Sequence, residues 1–302
     1  MKVVELSGGV GGARLARGLN QLGDIDLTVI VNVGDDDLVH GLHVSPDLDT
    51  VTYSLAGVEG PFGWGRRDDT FEVNEELARF GVDNSFQLGD RDLALNLYRT
   101  SRLAAGDPLS EITRAVVSAF GIEASLIPST DDRLATQVRV PDDGWISFQE
   151  YFVFRSHQDR VDELRYVGAP NASPAPGVIE AIEKADILII GPSNPPLSIW
   201  PILAVRDIEQ AAREHPKVVA LSPLIRQKAL KGPADRVMQS LGLPSGSHGV
   251  VEAYKGIVDI LVIHDDDAEE AEGIDEVQVV TAETIIKDSE AARRLAGTLV
   301  RL

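Results

Sequence analysis

The sequence predicts an α/β fold built on a mainly parallel β-sheet with helices on both faces. Short apolar runs that end in glycine- or proline-rich turns recur along the chain, and each is followed by sequence with helical periodicity. This alternation is typical of βα units and favours a Rossmann-like architecture. With 302 residues, of which 43% are hydrophobic and 25% charged, the chain is long enough to bury a large core.

Strands and helices alternate regularly in two stretches, residues 1–60 and 170–302. In the final predicted helix, apolar residues at Ala291, Leu295 and Leu299 form a one-sided stripe that would face a core. We predict that the two stretches together form a Rossmann-like nucleotide-binding core. Its predicted strands are Val3–Leu6, Leu27–Val33, Ile187–Ile190, Val218–Leu221 and Ile257–Ile263, and its predicted helices are Arg14–Leu22, Ile202–Glu214, Ala234–Leu241 and Ser289–Val300.

The stretch between them, residues 61–169, shows no βα rhythm. We predict an inserted mixed α+β subdomain that packs over the ligand-binding edge of the sheet and covers the substrate. Its predicted helices are Glu72–Phe80, Asp92–Leu103 and Leu109–Phe120, and its predicted strands are Thr136–Val140 and Ile146–Val153.

Composition excludes several classes of function. The 48 acidic and 28 basic residues give a formal charge of −20, which disfavours nucleic acid as a partner. The absence of cysteine excludes disulfides, thiolate catalysis and Cys-ligated zinc or iron–sulfur sites. Because there is no signal-like N-terminal run and no apolar stretch of membrane-spanning length, we expect a cytoplasmic protein without a membrane partner.

A glycine-rich segment, Gly8–Arg14, follows the first predicted strand directly. Glycines such as Gly9, Gly11 and Gly12 let a backbone approach a ligand closely, and helix N-terminal amides favour an anion. Arg14 stands where the dinucleotide-binding fingerprint needs its third Gly or Ala, and no Walker A lysine follows. The segment therefore predicts a phosphate without naming the nucleotide, and a tight turn without any ligand is the alternative.

Two clusters of aspartates follow the glycine-rich segment, between residues 35 and 49. Asp35, Asp36 and Asp37 come after the second predicted strand, and Asp47 and Asp49 follow ten residues later. Each cluster alone is typical of a solvated loop, but together, at the carboxyl ends of parallel strands, they favour a cation site. Oxygen ligands and the absence of cysteine favour Mg²⁺, and we expect Asp49 to lie on a loop.

Two histidines, His40 and His43, flank these clusters with i, i+3 spacing. We interpret them as structural or substrate-contacting residues rather than as a zinc pair.

Two further segments combine polar and aromatic residues. In Gly89–Ala94, Asp90 is a good N-cap for a helix starting near Asp92, and the buried-looking Arg91 is suited to hold a polar substrate group. In Trp64–Thr70, an aromatic ring beside two arginines predicts either a surface turn or a ring-stacking lid.

Small polar residues also follow two later strands. Ser193 and Asn194 come after the third predicted strand of the core, and Ser222 comes after the fourth. Their side chains suit a nucleobase or phosphate, and Lys231, in the turn after Ser222, is placed to reach a diphosphate.

The motifs SGGVGGAR, NVGDD, HGLHVSPDLDT, GWGRRDDTF, LGDRDLA, PSTDDR, GPSNP and SPLI…KGPA occur in this order between residues 7 and 234. The set resembles the 2-phospho-L-lactate transferase family of coenzyme F420 biosynthesis, which includes actinobacterial phosphoenolpyruvate transferases. The resemblance implies Mg²⁺-dependent transfer of a phospho-C3-acid from a guanosine-diphosphate-linked donor to the ribityl hydroxyl of 7,8-didemethyl-8-hydroxy-5-deazariboflavin, with release of GMP. It also implies a homodimer.

The same resemblance assigns roles to individual residues. Asp35 and Asp49 match the metal-binding positions, and Asp49 also matches a deazaflavin contact. Gln87 stands where the family commonly has Lys or Arg as a second deazaflavin contact, so the charge of that contact is lost.

Other segments are assigned to one of the two substrates. The glycine segment and the GPSNP segment match the guanosine diphosphate side, while Asp90, Arg91 and Trp64 are predicted on the deazaflavin side. Asp49 or the neighbouring Asp47 would orient or deprotonate the acceptor hydroxyl.

Two other functions stay open at this point. A related family of UDP-sugar-binding regulatory factors shares the glycine segment and the aspartates after the second strand, but has GDIRN-like sequence in place of GDRDLA and lacks PDLDT. A nicotinamide-dependent dehydrogenase is disfavoured by Arg14. Within the transferase interpretation, the sequence does not distinguish lactate, enolpyruvate and glycerate as the donor acid.

Overall fold

The computed structural model describes residues 1–302, and its centre is a seven-stranded parallel β-sheet. The strands of the molecule are β1 (Lys2–Ser7), β2 (Asp26–Val31), β3 (Asp37–Val39), β4 (Leu42–Val44), β5 (Ser125–Pro128), β6 (Ala135–Val140), β7 (Gly144–Ser147), β8 (Glu163–Val167), β9 (Ile187–Ile190), β10 (Val218–Leu221), β11 (Leu224–Ile225), β12 (Lys228–Ala229), β13 (Ile260–His264) and β14 (Gln278–Ala282).

Helices surround the sheet. The α-helices are α1 (Gly9–Asn20), α2 (Pro46–Leu55), α3 (Glu72–Arg79), α4 (Asp90–Ala104), α5 (Leu109–Ala119), α6 (Val178–Lys184), α7 (Trp200–Leu203), α8 (Arg206–Glu214), α9 (Ala234–Ser240), α10 (Gly246–Ala253) and α11 (Ser289–Leu299). Two π-helical turns (Glu150–Phe154 and Pro195–Ile199) and two 3₁₀-helices (Ala169–Asn171 and Asp265–Ala271) complete the regular structure. No helix is both long enough and apolar enough to cross a lipid bilayer.

The order of strands in the main sheet is β14-β13-β10-β9-β1-β2-β5, with every neighbouring pair parallel. The chain proceeds outward from β1 to β2 and β5, then returns to β9 and proceeds to the opposite edge. Strands β9, β10 and β13 are buried along their whole length, as expected where helices cover both faces. The predicted α/β architecture is confirmed, and its topological switch point lies between β1 and β9.

The predicted insertion contributes to this sheet. β5 lies within the range 61–169 but pairs with β2 as the edge strand, burying Leu126 and Pro128. The rest of the range includes an antiparallel sheet of order β7-β6-β8 with a small core of its own, in which Val138 and Tyr151 pack with Leu197. The inserted layer is therefore joined to the main sheet by β5 rather than separated from it.

Three of the predicted elements show the largest differences from the structure, while several others are shifted by a few residues at their ends. The predicted strand Ile146–Val153 ends at Ser147, where the Ser147 hydroxyl accepts the Glu150 N–H (3.1 Å) and the chain turns into a π-helix. The predicted helix Ile202–Glu214 is interrupted by the extended backbone of Val205. Helix α1 begins at Gly9 rather than Arg14, so the glycines form its first turn.

Candidate active site

The candidate site lies at the switch point, where the loops after β1 and β9 meet. Ser193, after β9, donates its hydroxyl proton to the Gly8 carbonyl (2.7 Å) and accepts the Gly8 N–H (3.2 Å). These hydrogen bonds join the two loops at the carboxyl ends of neighbouring parallel strands. α/β sheets bind ligands in the crevice that forms at such a position.

The glycines of the first loop serve packing as well as close approach. Gly9 has φ of +63°, a left-handed conformation that favours glycine, and its N–H donates to Asp47 Oδ1 (2.6 Å). A Cβ on Gly11 would collide with the carbonyl of Pro192, and one on Gly12 would lie 2.8 Å from Ser193 Oγ. Phosphate contacts by these glycines stay a prediction, while their role in close packing of α1 on the β9 loop is visible in the structure.

Asp35 and Asp47 come together around the amide of Asn32. Asn32 Nδ2 donates to Asp47 Oδ2 (3.0 Å) and Asp35 Oδ1 (3.3 Å), and all three side chains are buried. Burial, reinforced by the charge of Asp47, raises the pKa of Asp35 well above its usual range, and burial raises the pKa of Asp47 to about 6. Two buried carboxylates this close require a shared proton or a cation.

Asp49 is not on a loop, contrary to the expectation from sequence. It lies in the first turn of α2, is buried, and forms a two-pronged salt bridge with Arg99 of α4, with Arg99 Nη1 3.1 Å from Asp49 Oδ2. Arg99 also donates to Asn96 Oδ1 (2.7 Å). Burial raises the pKa of Asp49 to about 7, although the Arg99 charge opposes that rise.

Sequence reasoning missed Arg99. The signal was present in α4, since Arg99 occurs on the same helix face as Leu95 and Asn96, both of which are buried. A charged residue on a buried face requires a partner of opposite charge.

The fourth aspartate of the site, Asp36, forms a dyad with His43 of β4. Asp36 Oδ2 lies 2.9 Å from His43 Nε2 and accepts the hydroxyl proton of Ser45 (2.7 Å), while its buried Oδ1 has no partner. A cavity of about 500 Å³ opens beside this dyad. Residues that line it include Gly34, Asp35, Asp36, His43, Thr136 and Phe148.

Two unpaired cations, Arg14 and Lys231, lie over the start of α1. Lys231 Nζ donates to the carbonyl of Phe62 (2.9 Å) and Arg14 Nη1 to that of Ile286 (3.2 Å), and neither side chain forms a salt bridge. Burial and the charge of Arg14 lower the pKa of Lys231. In a chain of charge −20, two neighbouring cations without carboxylate partners indicate an anion site.

The predicted aromatic lid lies beside these cations. Phe62 and Trp64 stack with ring centroids 5.9 Å apart and are both exposed, and Gly63 between them approaches Val10 of α1. The structure therefore places exposed aromatic surface next to the glycine loop.

The remaining predicted contacts on the deazaflavin side lie on the surface. Gln87 is exposed and its side chain forms no hydrogen bond within the chain. Arg91 is exposed as well, so the expectation that it is buried is wrong. Contacts of either residue with a substrate stay predictions.

The N-cap assigned to Asp90 is also wrong. α4 begins at Asp90 itself, and Asp69 accepts the N–H groups of Arg91 (2.9 Å) and Asp92 (3.2 Å). Asp90 instead accepts the N–H groups of Glu72 and Val73, in the first turn of α3. The two aspartates exchange caps because α3 and α4 begin side by side, which one-dimensional spacing does not reveal.

The polar side chains of Asn194, after β9, and Ser222, after β10, mostly form hydrogen bonds within their own loops. Asn194 Oδ1 accepts the N–H of Leu197 (3.3 Å), although its buried Nδ2 has no partner. Ser222 Oγ accepts the N–H of Leu224 (3.2 Å) within a local turn. Of these side chains, Asn194 therefore retains a free donor.

Comparisons with known proteins find relatives that match nearly the whole chain. The model of the family described as 2-phospho-L-lactate transferase CofD matches residues 3–301. The chain is 41% identical over 308 residues to the 2-phospho-L-lactate transferase of Methanopyrus kandleri, covering 100% of this chain and 97% of the relative. It is 44% identical over 286 residues to the phosphoenolpyruvate transferase of Streptomyces griseus (92% and 89%) and 42% identical over 301 residues to that of Mycobacterium tuberculosis (91% of each).

Solved structures with a similar fold include a UPF0052 family protein of Bacillus halodurans. Its crystal structure matches with a TM-score of 0.68 and 18% sequence identity, covering 99% of this chain and 100% of that chain. At this identity the likeness shows the fold alone.

Proposed function

The chain belongs to the CofD family and is a transferase of the 2-phospho-L-lactate or phosphoenolpyruvate type, and from this premise we propose its substrates and metal. The donor is a guanosine-diphosphate-linked C3 acid, and the acceptor is the ribityl hydroxyl of 7,8-didemethyl-8-hydroxy-5-deazariboflavin. The phospho-acid is transferred to that hydroxyl, GMP is released, and Mg²⁺ is required.

The observation that carries this proposal is the pair of buried carboxylates, Asp35 and Asp47, bridged by Asn32 beside the glycine loop. An anionic diphosphate approaching this pair would be repelled unless a cation neutralised it. This pair supplies two carboxylates, which suits Mg²⁺, because Mg²⁺ commonly retains water and substrate phosphates as its other ligands.

In this assignment Asp35 holds Mg²⁺ together with Asp47 or, as the resemblance implies, Asp49. When bound, the ion neutralises the diphosphate and the charge that develops on the GMP leaving group.

The chain's own residues bind and orient the substrates. Arg14 and Lys231 attract the donor phosphates to the start of α1, where the helix dipole also favours an anion. The free Nδ2 of Asn194 donates to the donor across the crevice. Trp64, stacked on Phe62, offers an exposed aromatic face to a planar ring.

The test is direct turnover by the purified full chain. We expect a deazaflavin bearing a phospho-acid, with stoichiometric GMP, when Mg²⁺, the deazaflavin and each of the lactyl, enolpyruvyl and glyceryl donors are combined and analysed by liquid chromatography and mass spectrometry. Asp35→Asn should bind the donor but lose transfer, and chelation should abolish transfer by the wild type. No product with any donor, accompanied by tight binding of a UDP-sugar, would overturn the proposal. The homodimer implied by the resemblance stays a prediction.

A further inference from the structure

We infer that His43, oriented by Asp36, is the general base that removes the proton from the acceptor hydroxyl. The inference rests on the proposed function, because it concerns the nucleophile of that reaction. It begins from the dyad itself: a carboxylate that fixes one ring nitrogen leaves the other free to act on a ligand.

The imidazole is held in place from several directions. The His43 N–H donates to Thr100 Oγ1 (2.8 Å), and its carbonyl accepts from Arg99 Nη1 (3.3 Å), so α4 fixes the backbone. Asp36 Oδ2, held by the Ser45 hydroxyl, fixes the ring through Nε2. A base positioned in this way loses little entropy when the substrate arrives.

The other ring nitrogen, Nδ1, is free and reaches accessible space. Nδ1 has no hydrogen-bond partner within the chain, and it is accessible rather than buried. His43 lines the 500 Å³ cavity, and so does the buried, unpartnered hydroxyl of Thr136. A buried donor without a partner indicates that a polar ligand enters this space.

The carboxylates considered from the sequence are less suited to act as the base. Asp47 already accepts hydrogen bonds from the Gly9 amide and Asn32, and Asp49 is engaged on both oxygens by Arg99. Proton transfer from a substrate would have to compete with these bonds. His43 has no such competing acceptor role.

The surroundings of His43 are acidic overall. Arg99 faces its main chain from α4, and the charged residues that share its cavity are Asp35, Asp36, Asp37, Asp131, Asp132 and Arg133. These carboxylates give the wall of the cavity around the ring a net negative charge.

The reaction step balances as follows. The acceptor oxygen forms a bond to the phosphorus that carries the C3 acid, and its proton passes to His43 Nδ1. The bond between that phosphorus and the bridging oxygen breaks, and the electron pair leaves with GMP. The imidazolium then releases its proton to solvent through the cavity.

The test compares His43→Ala with His40→Asn in the full chain. His40 lies in the same hairpin, is exposed, and has φ of +52°, a conformation that Asn tolerates, so this variant removes an imidazole without touching the cavity. We expect His43→Ala to reduce kcat about 100-fold or more with little change in KM. Added imidazole should restore part of the rate, increasingly at higher pH, and His40→Asn should behave like the wild type.

Asp36→Asn provides a second variant that retains the ring. We expect an intermediate loss of kcat that imidazole does not restore, because the base is present but poorly oriented. Equal kcat in the wild type and His43→Ala, or a loss that appears only in KM without rescue, would overturn this inference alone. Absence of transfer by the wild type would overturn the proposed function and this inference with it.

Discussion

The two halves of the ligand-binding edge of the sheet differ in how many buried charged side chains they contain. On the β1-β2-β5 side, four buried or partly buried carboxylates (Asp35, Asp36, Asp47 and Asp49) lie close together with Arg99 as their one buried cation. On the β9 and β10 side, the residues that directly follow the strands are neutral, and their hydrogen bonds go mainly to backbone groups, as in Ser193 and Ser222. Concentrated buried charge is costly, and it occurs where a site has to act on charged groups.

The largest effect should follow from removing the cation of the charged half. Arg99→Ala leaves Asp49 buried without its partner, and we expect a loss of about 3–5 kcal/mol in the free energy of unfolding, measured by urea denaturation. The matched control is Arg102→Ala, one turn further along α4, whose partly exposed pair with Asp107 should contribute far less to stability. Equal losses of unfolding free energy in the two variants would contradict the inference that the buried pair contributes more to stability than the exposed one.

A second effect concerns the pH dependence of stability without metal. The folded-state pKa of Asp47, about 6, lies above its unfolded value, so the native state binds more protons between these values. The contribution of Asp47 to the free energy of unfolding is therefore fully present below its unfolded pKa, near 3.9, and is lost as the pH rises through 6. For Asp47 the loss amounts to about 3 kcal/mol, at about 1.4 kcal/mol for each unit of pKa.

Denaturation in chelator from pH 4 to pH 8 measures this decline. Asp47→Asn should make the decline shallower, with the remainder due to Asp35 and Asp49, and Mg²⁺ should restore stability at pH 8, because a cation that binds only the folded state stabilises it. A flat curve for the wild type would contradict the inference that burial raises the pKa of Asp47.

A third effect tests the junction between the two halves. Gly11→Ala would place a methyl group against the Pro192 carbonyl, and we expect a destabilisation of about 2 kcal/mol by thermal or chemical denaturation. In Gly23→Ala the new Cβ meets no atom within 4 Å, and stability should be unchanged or slightly higher. If Gly11→Ala kept its stability and lost only donor affinity, Gly11 would serve the ligand rather than the packing.

The smallest effect concerns the cations above α1. Lys231→Ala should weaken donor binding about tenfold, or about 1.4 kcal/mol, because it removes one of two unpaired cations beside the glycine loop. Lys228→Ala, on the exposed neighbouring strand where Lys228 pairs with Asp235, should leave the affinity unchanged. Titration calorimetry of the donor measures both, and equal affinities would move the phosphate site away from Lys231.

Local signals in the sequence predict the parallel sheet, most of the helices and the positions at which polar residues follow the strands. Strands Ile187–Ile190 and Val218–Leu221 were predicted at their observed bounds, since apolar runs and the turns that end them are local signals. Motifs such as PDLDT and GDRD likewise depend only on residue order, and they identified the family.

Which of these residues contact one another depends on how separate elements pack in three dimensions. The pairing of Asp49 with Arg99 spans 50 positions, and Asp69 and Asp90 exchange their helix caps across 22–23 and 17–18 positions. The dyad of Asp36 and His43 depends on the β3–β4 hairpin that brings them face to face. Periodicity in a sequence reports which face of an element is buried, whereas the partner of a buried charge is fixed only when separate elements pack together.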